Sequence, residues 1–474
     1  MTRTPLLLLA IFALSLGVRL GYVLTGESNP LGEGPRDADI AHNLIDEGRW
    51  FYLNEKAIIR MSLKGGAHHR LVEPDTVDFA ALNKGVKLFP EVAEPIGSAA
   101  VLAAVWGVTG HERYLPMQIL QAILDALATL LVYRIAMLLL KRRRAALIAA
   151  VLYALYVPIA WQTMIVYDDI WAVDFTLVVV AAYLEARNST SHPRRWLLTC
   201  ALLAGLGAYF RPAVIVLPLA IALAIAPRMG WRTVRQGLMV TAMAALLLVP
   251  WTIRNYEDFH AFIPTRSSFW ENMWYGLGEK PNDFGATEDV AGKLAREIAR
   301  VRPDLRFESP AWDAYIKPRV VNALEDHPFY YLKLLVYRTG LATIVNYQPE
   351  WMQAGTRTPI GYPGGPSAFI LQQPLDALED AFQPGIFLLA MIAMAATWRR
   401  FRGQHVILSA IALSVLVPYI LIHVTGRYTL PAAFTYCIWI GLGADMLLDR
   451  LLTKAAPNDH VSRRAAPNPS VASS

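Results

Sequence analysis

Long apolar blocks alternate with short polar ones along this chain. A helix crosses a bilayer core with about 20 apolar residues. Runs of that kind occupy residues 5–24, 115–140, 145–164, 170–186, 196–210, 212–226, 236–251, 384–398, 405–422 and 429–448. Two weaker runs lie at 94–110 and 328–345. The pattern predicts an all-α polytopic membrane protein, a transmembrane helix bundle of about ten spans. Composition agrees: 55% of the 474 residues are hydrophobic and 17% are charged, against about 25% charged in soluble domains.

Charge then decides which runs cross. Basic residues cluster at 141–144 (KRRR), 192–195, 227–235 and 398–402, and in the tail at Arg450, Lys454, Arg463 and Arg464. If 94–110 and 328–345 lie on the membrane surface as interfacial helices, every cluster faces the cytoplasm, as the positive-inside rule asks. The expected protein therefore sits in the cytoplasmic (inner) membrane with both termini inside. The first run lacks a small-residue cleavage site and reads as an uncleaved span. Two large extracytoplasmic loops follow, about 25–94 and 252–383. One domain covers 1–452, and 453–474 reads as a disordered cytoplasmic tail. The net charge of +6 is a topology signal, and no nucleic-acid partner is implied. Cys200 and Cys437 lie in apolar runs and suggest neither a disulfide nor a zinc site. His68 and His69 read as surface residues.

With this topology, scattered charges gather on one side. Asp37 and Asp39 open the first outside loop; Asp168 and Asp169 sit in the turn MIVYDDIW. Arg211, Arg254 and Arg427 lie at the outer ends of later spans, and Arg19 near that of the first. Charge at membrane depth is costly and is usually paired or functional. Arginine's planar fork suits phosphate oxygens. Each residue alone has a plainer reading, as a snorkelling side chain, a turn marker or an interface anchor. Their coincidence on one face points to a site. Gln118, Gln121 and Asp125 share a helix face and read as an interhelix polar contact.

Several strings in order resemble the GT-C membrane glycosyltransferases, above all the bacterial relatives of protein O-mannosyltransferases and lipid A aminoarabinose transferases. These are the acid pair before IAHNLIDEGRW, then EPIGSAAVLAAVWGVTG, LQAILDALATLLVYRIAMLLLKRRR, ALLAGLGAYFRPAVIVLP, PWTIRNYEDFHAFIPT, HPFYYLKLL and GRYTLPA. The resemblance implies a polyprenyl-phosphate sugar donor at the outer leaflet and a lipid, polysaccharide or protein acceptor. It implies a base at Asp37 or Asp39 and a second acid at Asp168 or Asp169. Phosphate ligands would come from Arg254 and Arg427, with Arg19, Arg211 and Tyr428 nearby. The aminoarabinose transferases place a basic residue before the first-loop proline; here Glu94 precedes Pro95, and Lys84 or Lys87 would substitute. One carboxylate suffices to activate an acceptor, because phosphate is a good leaving group, and a single displacement inverts the anomeric carbon. No cofactor is demanded, and the acids leave room for a divalent metal. A transporter or lipid flippase is the main rival, although internal repeats are not evident. An assembly scaffold is the second rival.

Overall fold

The computed structural model describes residues 3–25, 33–46, 48, 51–54, 73–288, 290–343 and 365–455. His68, His69 and nearly all of the expected tail lie outside the described residues. The principal helices are α1 (Arg3–Thr25), α2 (Glu33–Asp46), α3 (Gly97–Thr109), α4 (Leu115–Leu140), α5 (Arg143–Ala154), α6 (Asp168–Asn188), α7 (Pro193–Ala208) and α8 (Leu217–Met229). They continue with α9 (Trp231–Leu246), α10 (Val249–Phe259), α11 (Phe269–Leu277), α12 (Pro310–Asp326), α13 (Pro328–Thr343), α14 (Gly365–Ile422) and α15 (Ala433–Ala455). A two-residue antiparallel pairing joins β1 (Tyr52–Leu53) to β2 (Phe89–Pro90).

The expected all-α membrane bundle is present, but its spans are less uniform than the apolar runs imply. Among the described residues, five helices are long and apolar enough to cross a membrane, and a bent pair makes a sixth. Prolines account for part of the difference, since each lacks a donor and interrupts the helix before it. The run at 145–164 breaks after α5 and resumes in a short helix opening at Val157-Pro158. The run at 236–251 spans the 47° bend between α9 and α10, next to Pro250. Residues 384–422 form one long helical stretch interrupted at Phe401 (φ −122°, ψ 26°). Thr397 Oγ1 lies 2.9 Å from His405 Nε2. Eight residues of straight helix would separate them by about 12 Å, so the chain doubles back here.

Small residues let these helices approach. A Cβ at Gly441 of α15 would lie 2.6 Å from the Ala145 carbonyl oxygen of α5, and one at Gly237 of α9 would lie 2.5 Å from the Ala222 Cβ of α8. Where hydrocarbon gives helices no hydrophobic reason to associate, close backbone packing supplies the attraction. At the bundle end opposite the loops, Arg142 pairs with Asp445 and Asp449 of α15, and Arg144 reaches Asp449 at 2.8 Å.

The two loop regions fold onto one another. Ser267 donates its N–H to the Val92 carbonyl at 2.9 Å, and Ser268 Oγ donates to that of Ala93 at 2.8 Å. A separate apolar core forms around Trp274, Ile298, Trp312 and Ile316. Helix α3 has 13 residues, about 20 Å, too short for a spanning helix. In helix α13 Arg338 is buried: its Nε donates to Glu279 Oε2 at 2.8 Å, and Glu279 Oε1 lies 2.5 Å from His423 Nδ1.

Candidate active site

The charged residues at the loop-bearing ends of the helices fall into a group that lines a cleft and a group tied up in structural contacts. Asp168 and Asp169 open α6, where the helix dipole favours negative charge. Arg211 follows α7, at the start of the 3-10 turn Pro212–Val216. Arg427 and Tyr428 lie in the short helix Gly426–Thr429. Arg211 forms an ion pair with Asp169, which also accepts from Gln162 Nε2 at 3.1 Å. Arg427 Nε lies 3.9 Å from the same carboxylate. Arg211 sits 4.6 Å from the Tyr428 ring centroid, and Arg427 sits 5.1 Å from that of Tyr167. Tyr419 stacks on Tyr428 at 4.8 Å. Asp169, Thr176, Arg211, Tyr419, Arg427 and Tyr428 all line one cleft. Both guanidinium groups thus lie within cation–π range of the Tyr167 and Tyr428 rings.

A second tier lies beside this cleft. Asp168 is 1% exposed, and among the described residues neither of its carboxylate oxygens has a hydrogen-bond partner. Asp37, Glu94, Asp169 and Arg211 act on it electrostatically. Glu94 pairs with Arg266 at 3.0 Å. Burial opposes charge on Glu94, but Arg266, Arg36, Arg211 and Arg427 hold its carboxyl below the usual range. Arg36 in turn pairs with Glu91 at 3.0 Å. A buried carboxylate without donors is expensive, which makes Asp168 the group best suited to meet a substrate hydroxyl or a cation.

Other expected site residues have different surroundings. Asp39 is fully buried, and its Oδ2 accepts from the Asn54 N–H at 2.5 Å and Asn43 Nδ2 at 3.2 Å. Arg254 donates to the carbonyls of Glu91 (2.8 Å) and Phe51 (2.9 Å), and its Nε pairs with Asp258 at 3.0 Å. These bonds tie α10 to the β1–β2 connection and spend the fork on protein groups. Arg19 is fully buried; it pairs with Asp125 and donates to the Ser15 and Ala154 carbonyls at 3.2 and 3.0 Å. That corrects a surface-facing or substrate-binding reading, because a side chain sealed between helices reaches neither headgroup nor donor. Gln118 and Gln121 donate to the carbonyls of Met164 and Ile165 at 2.6 and 2.7 Å, the interhelix contact their spacing predicts. Lys84 and Lys87 are exposed and do not line the cleft.

Sequence reading passed over Arg36, Glu91, Arg266 and Glu271, and took Glu94 only as the acid standing before Pro95. Only the run GPRDAD, which sets Arg36 beside Asp37, gave a signal. Glu271 of α11 carries a testable consequence. Burial, reinforced by Glu94 and Asp313, pushes its carboxyl up to about 8. It stays protonated in the folded chain while the unfolded chain ionises above about 4.5. It therefore costs no stability below about pH 4.5 and an increasing amount as pH rises toward 8. Glu271→Gln should leave the melting temperature unchanged at acid pH. At pH 8 it should raise stability by about 3–5 kcal/mol at most, read from paired thermal melts across that range.

Among the described residues, the acids around Asp168 do not bring three ligand atoms close enough to grip an ion; His42, Asp46 and Glu112 do.

Residues 93–253 match the model of the dolichyl-phosphate-mannose-protein mannosyltransferase family. No curated protein sequence matches the chain. Two solved structures of the Archaeoglobus fulgidus oligosaccharyltransferase superpose on it. One, tethered to an acceptor peptide, gives a TM-score of 0.51 at 14% identity, covering 97% of this chain and 51% of that one. The other, bound to an inhibitory peptide and a dolichol-phosphate, gives 0.51 at 14% identity, covering 99% and 53%. The chain thus spans about half the length of these relatives. ArnT from Cupriavidus metallidurans gives 0.38 at 15% identity over 96% of this chain and 82% of that one, too low a score to bear on the fold. The match over residues 93–253 falls on about a third of the chain, and over nearly its whole length the chain shares the helical fold of the archaeal oligosaccharyltransferase.

Proposed function

We propose that the chain is a glycosyltransferase that takes a sugar from a polyprenyl-phosphate donor and passes it to a lipid, polysaccharide or protein acceptor outside the cytoplasmic membrane. One observation carries this reading: two arginines set over tyrosine rings line one cleft at the loop-bearing end of the bundle, and beside it lies a buried acid, Asp168, with no hydrogen-bond partner among the described residues. Arg211 and Arg427, with Tyr428, hold the donor phosphate and stabilise the charge that builds as it leaves. Asp37 is the base that deprotonates the acceptor, and Asp168 steadies the acceptor or the sugar. Asp169 sets the two arginines, and Arg254 and Asp39 brace the loops that carry the acids. Attack opposite the departing phosphate inverts the anomeric centre. The dolichol-phosphate seen in the archaeal oligosaccharyltransferase supports a lipid phosphate as the donor group. Both termini face the cytoplasm, and 1–452 works as one unit.

The test is lipid mass spectrometry on cells with and without the chain. A polyprenyl-phosphate sugar should accumulate when the chain is absent, and its added mass reads out the sugar. A flippase would instead change the sidedness of such a lipid without changing its total amount, and that outcome would reject the transferase reading.

A further inference from the structure

Away from the arginine cleft, three side chains converge at the far end of α2. His42 and Asp46 lie one turn apart on that helix, and Glu112 comes from the turn between α3 and α4. His42 Nδ1 is 2.8 Å from Glu112 Oε1 and 3.1 Å from Asp46 Oδ2. One ligand atom from each of the three lies within 4.8 Å of the other two. The imidazole stacks on Phe79, with centroids 4.2 Å apart and planes at 18°, so the direction of Nδ1 is fixed. We propose that His42, Asp46 and Glu112 form a binding site for a divalent transition-metal cation of the zinc class.

Nδ1 carries at most one proton, and two carboxylate oxygens compete for it. A shared hydrogen bond leaves both partly satisfied, whereas a dication between the three gives every ligand a full partner. One imidazole nitrogen with two carboxylate oxygens is a donor set that zinc accepts. Magnesium and calcium prefer oxygen alone. Asp39 adds a further negative charge acting on His42. The neighbouring Arg113 is turned to Asp75, at 2.6 Å. Asp46 is 53% exposed and Glu112 26%, which gives a cation a route in and a water as fourth ligand.

The cation would pin α2 to the α3–α4 turn. Asp37 and Asp39 lie on the same helix, so the site positions those acids without touching substrate. It stands independently of the glycosyltransferase reading.

The full chain in nanodiscs, tag removed and metal stripped, is titrated with Zn²⁺ alone, with Mg²⁺ as the comparison. One Zn²⁺ per chain is expected at micromolar affinity or tighter, with a rise in melting temperature that Mg²⁺ does not reproduce. X-ray absorption should show a single imidazole nitrogen among oxygens. His42→Gln and Asp46→Asn should each weaken binding at least tenfold. Glu112→Gln, on a partly exposed turn, gives the same readout without touching α2 if either helix variant misfolds. Absence of saturable Zn²⁺ uptake, or equal affinity in folded variants, overturns the site. The three residues would then be a protonated histidine shared by two carboxylates, with stability that follows pH and ignores zinc.

Discussion

Asp37→Asn is expected to lower turnover by about 10²–10⁴-fold, the usual worth of a positioned general base, while the protein remains folded. A membrane preparation making this variant should accumulate the polyprenyl-phosphate sugar and yield little transferred product. Asp39→Asn is the contrasting case. Its carboxylate closes hydrogen bonds to Asn43 and to the Asn54 backbone, both in buried surroundings. That substitution should cost about 1–3 kcal/mol of stability and affect turnover mainly through the displaced loop. If Asp39→Asn silences the enzyme in a fully stable protein while Asp37→Asn turns over normally, the assignment of the base reverses.

Arg211→Gln should have the largest effect on the fold of any change at the mouth. It leaves Asp169, 2% exposed, with Gln162 and a guanidinium 3.9 Å away. Removing one partner of a buried pair costs about 3–5 kcal/mol, because the remaining charge is stranded. The double variant Asp169→Asn/Arg211→Gln removes both charges and should recover much of that stability. It should not recover binding of a short-chain polyprenyl phosphate, since the fork itself is gone. A double-mutant cycle read by melting temperature and by lipid retention separates the two roles. Equal lipid retention in the wild type and the double variant would take Arg211 out of the phosphate site.

Much of the scaffold was legible because apolar runs and basic clusters record what a bilayer demands. The positions of Asp168, Asp169, Arg211 and Arg427 were legible for the same reason: charge at the edge of an apolar run is visible as a letter. Their partners were less so. Arg254 looked as suited to phosphate as Arg427, yet its fork is held by the carbonyls of Glu91 and Phe51, and backbone acceptors leave no mark in a sequence. Arg19 and Asp125 lie 106 residues apart, so their pairing depends on a helix contact that neither run announces. Helix α2 was hidden because its charges read as a polar loop, whereas its first half, from Gly34 to Ala41, is buried although it carries Arg36, Asp37 and Asp39. Breaks next to Pro158 and Pro250 fell inside runs that hydropathy alone reads as continuous.

The clasp of Arg142 with Asp445 and Asp449 joins the middle of the chain to its last described helix, and Arg427 enters the mouth just before that helix begins. Order of synthesis therefore matters. A nascent chain that has inserted only as far as α13 holds Asp37, Asp168 and Arg211 but lacks Arg427 and Tyr428. At the opposite end of the bundle its Arg142 and Arg144 have no acids from α15 to meet. Arrival of α15 closes both ends together, so completion of the arginine mouth coincides with locking of the bundle. The arginine cleft is in effect completed by the chain's last described helix, and a partly made chain presents no finished cleft to the lipids around it.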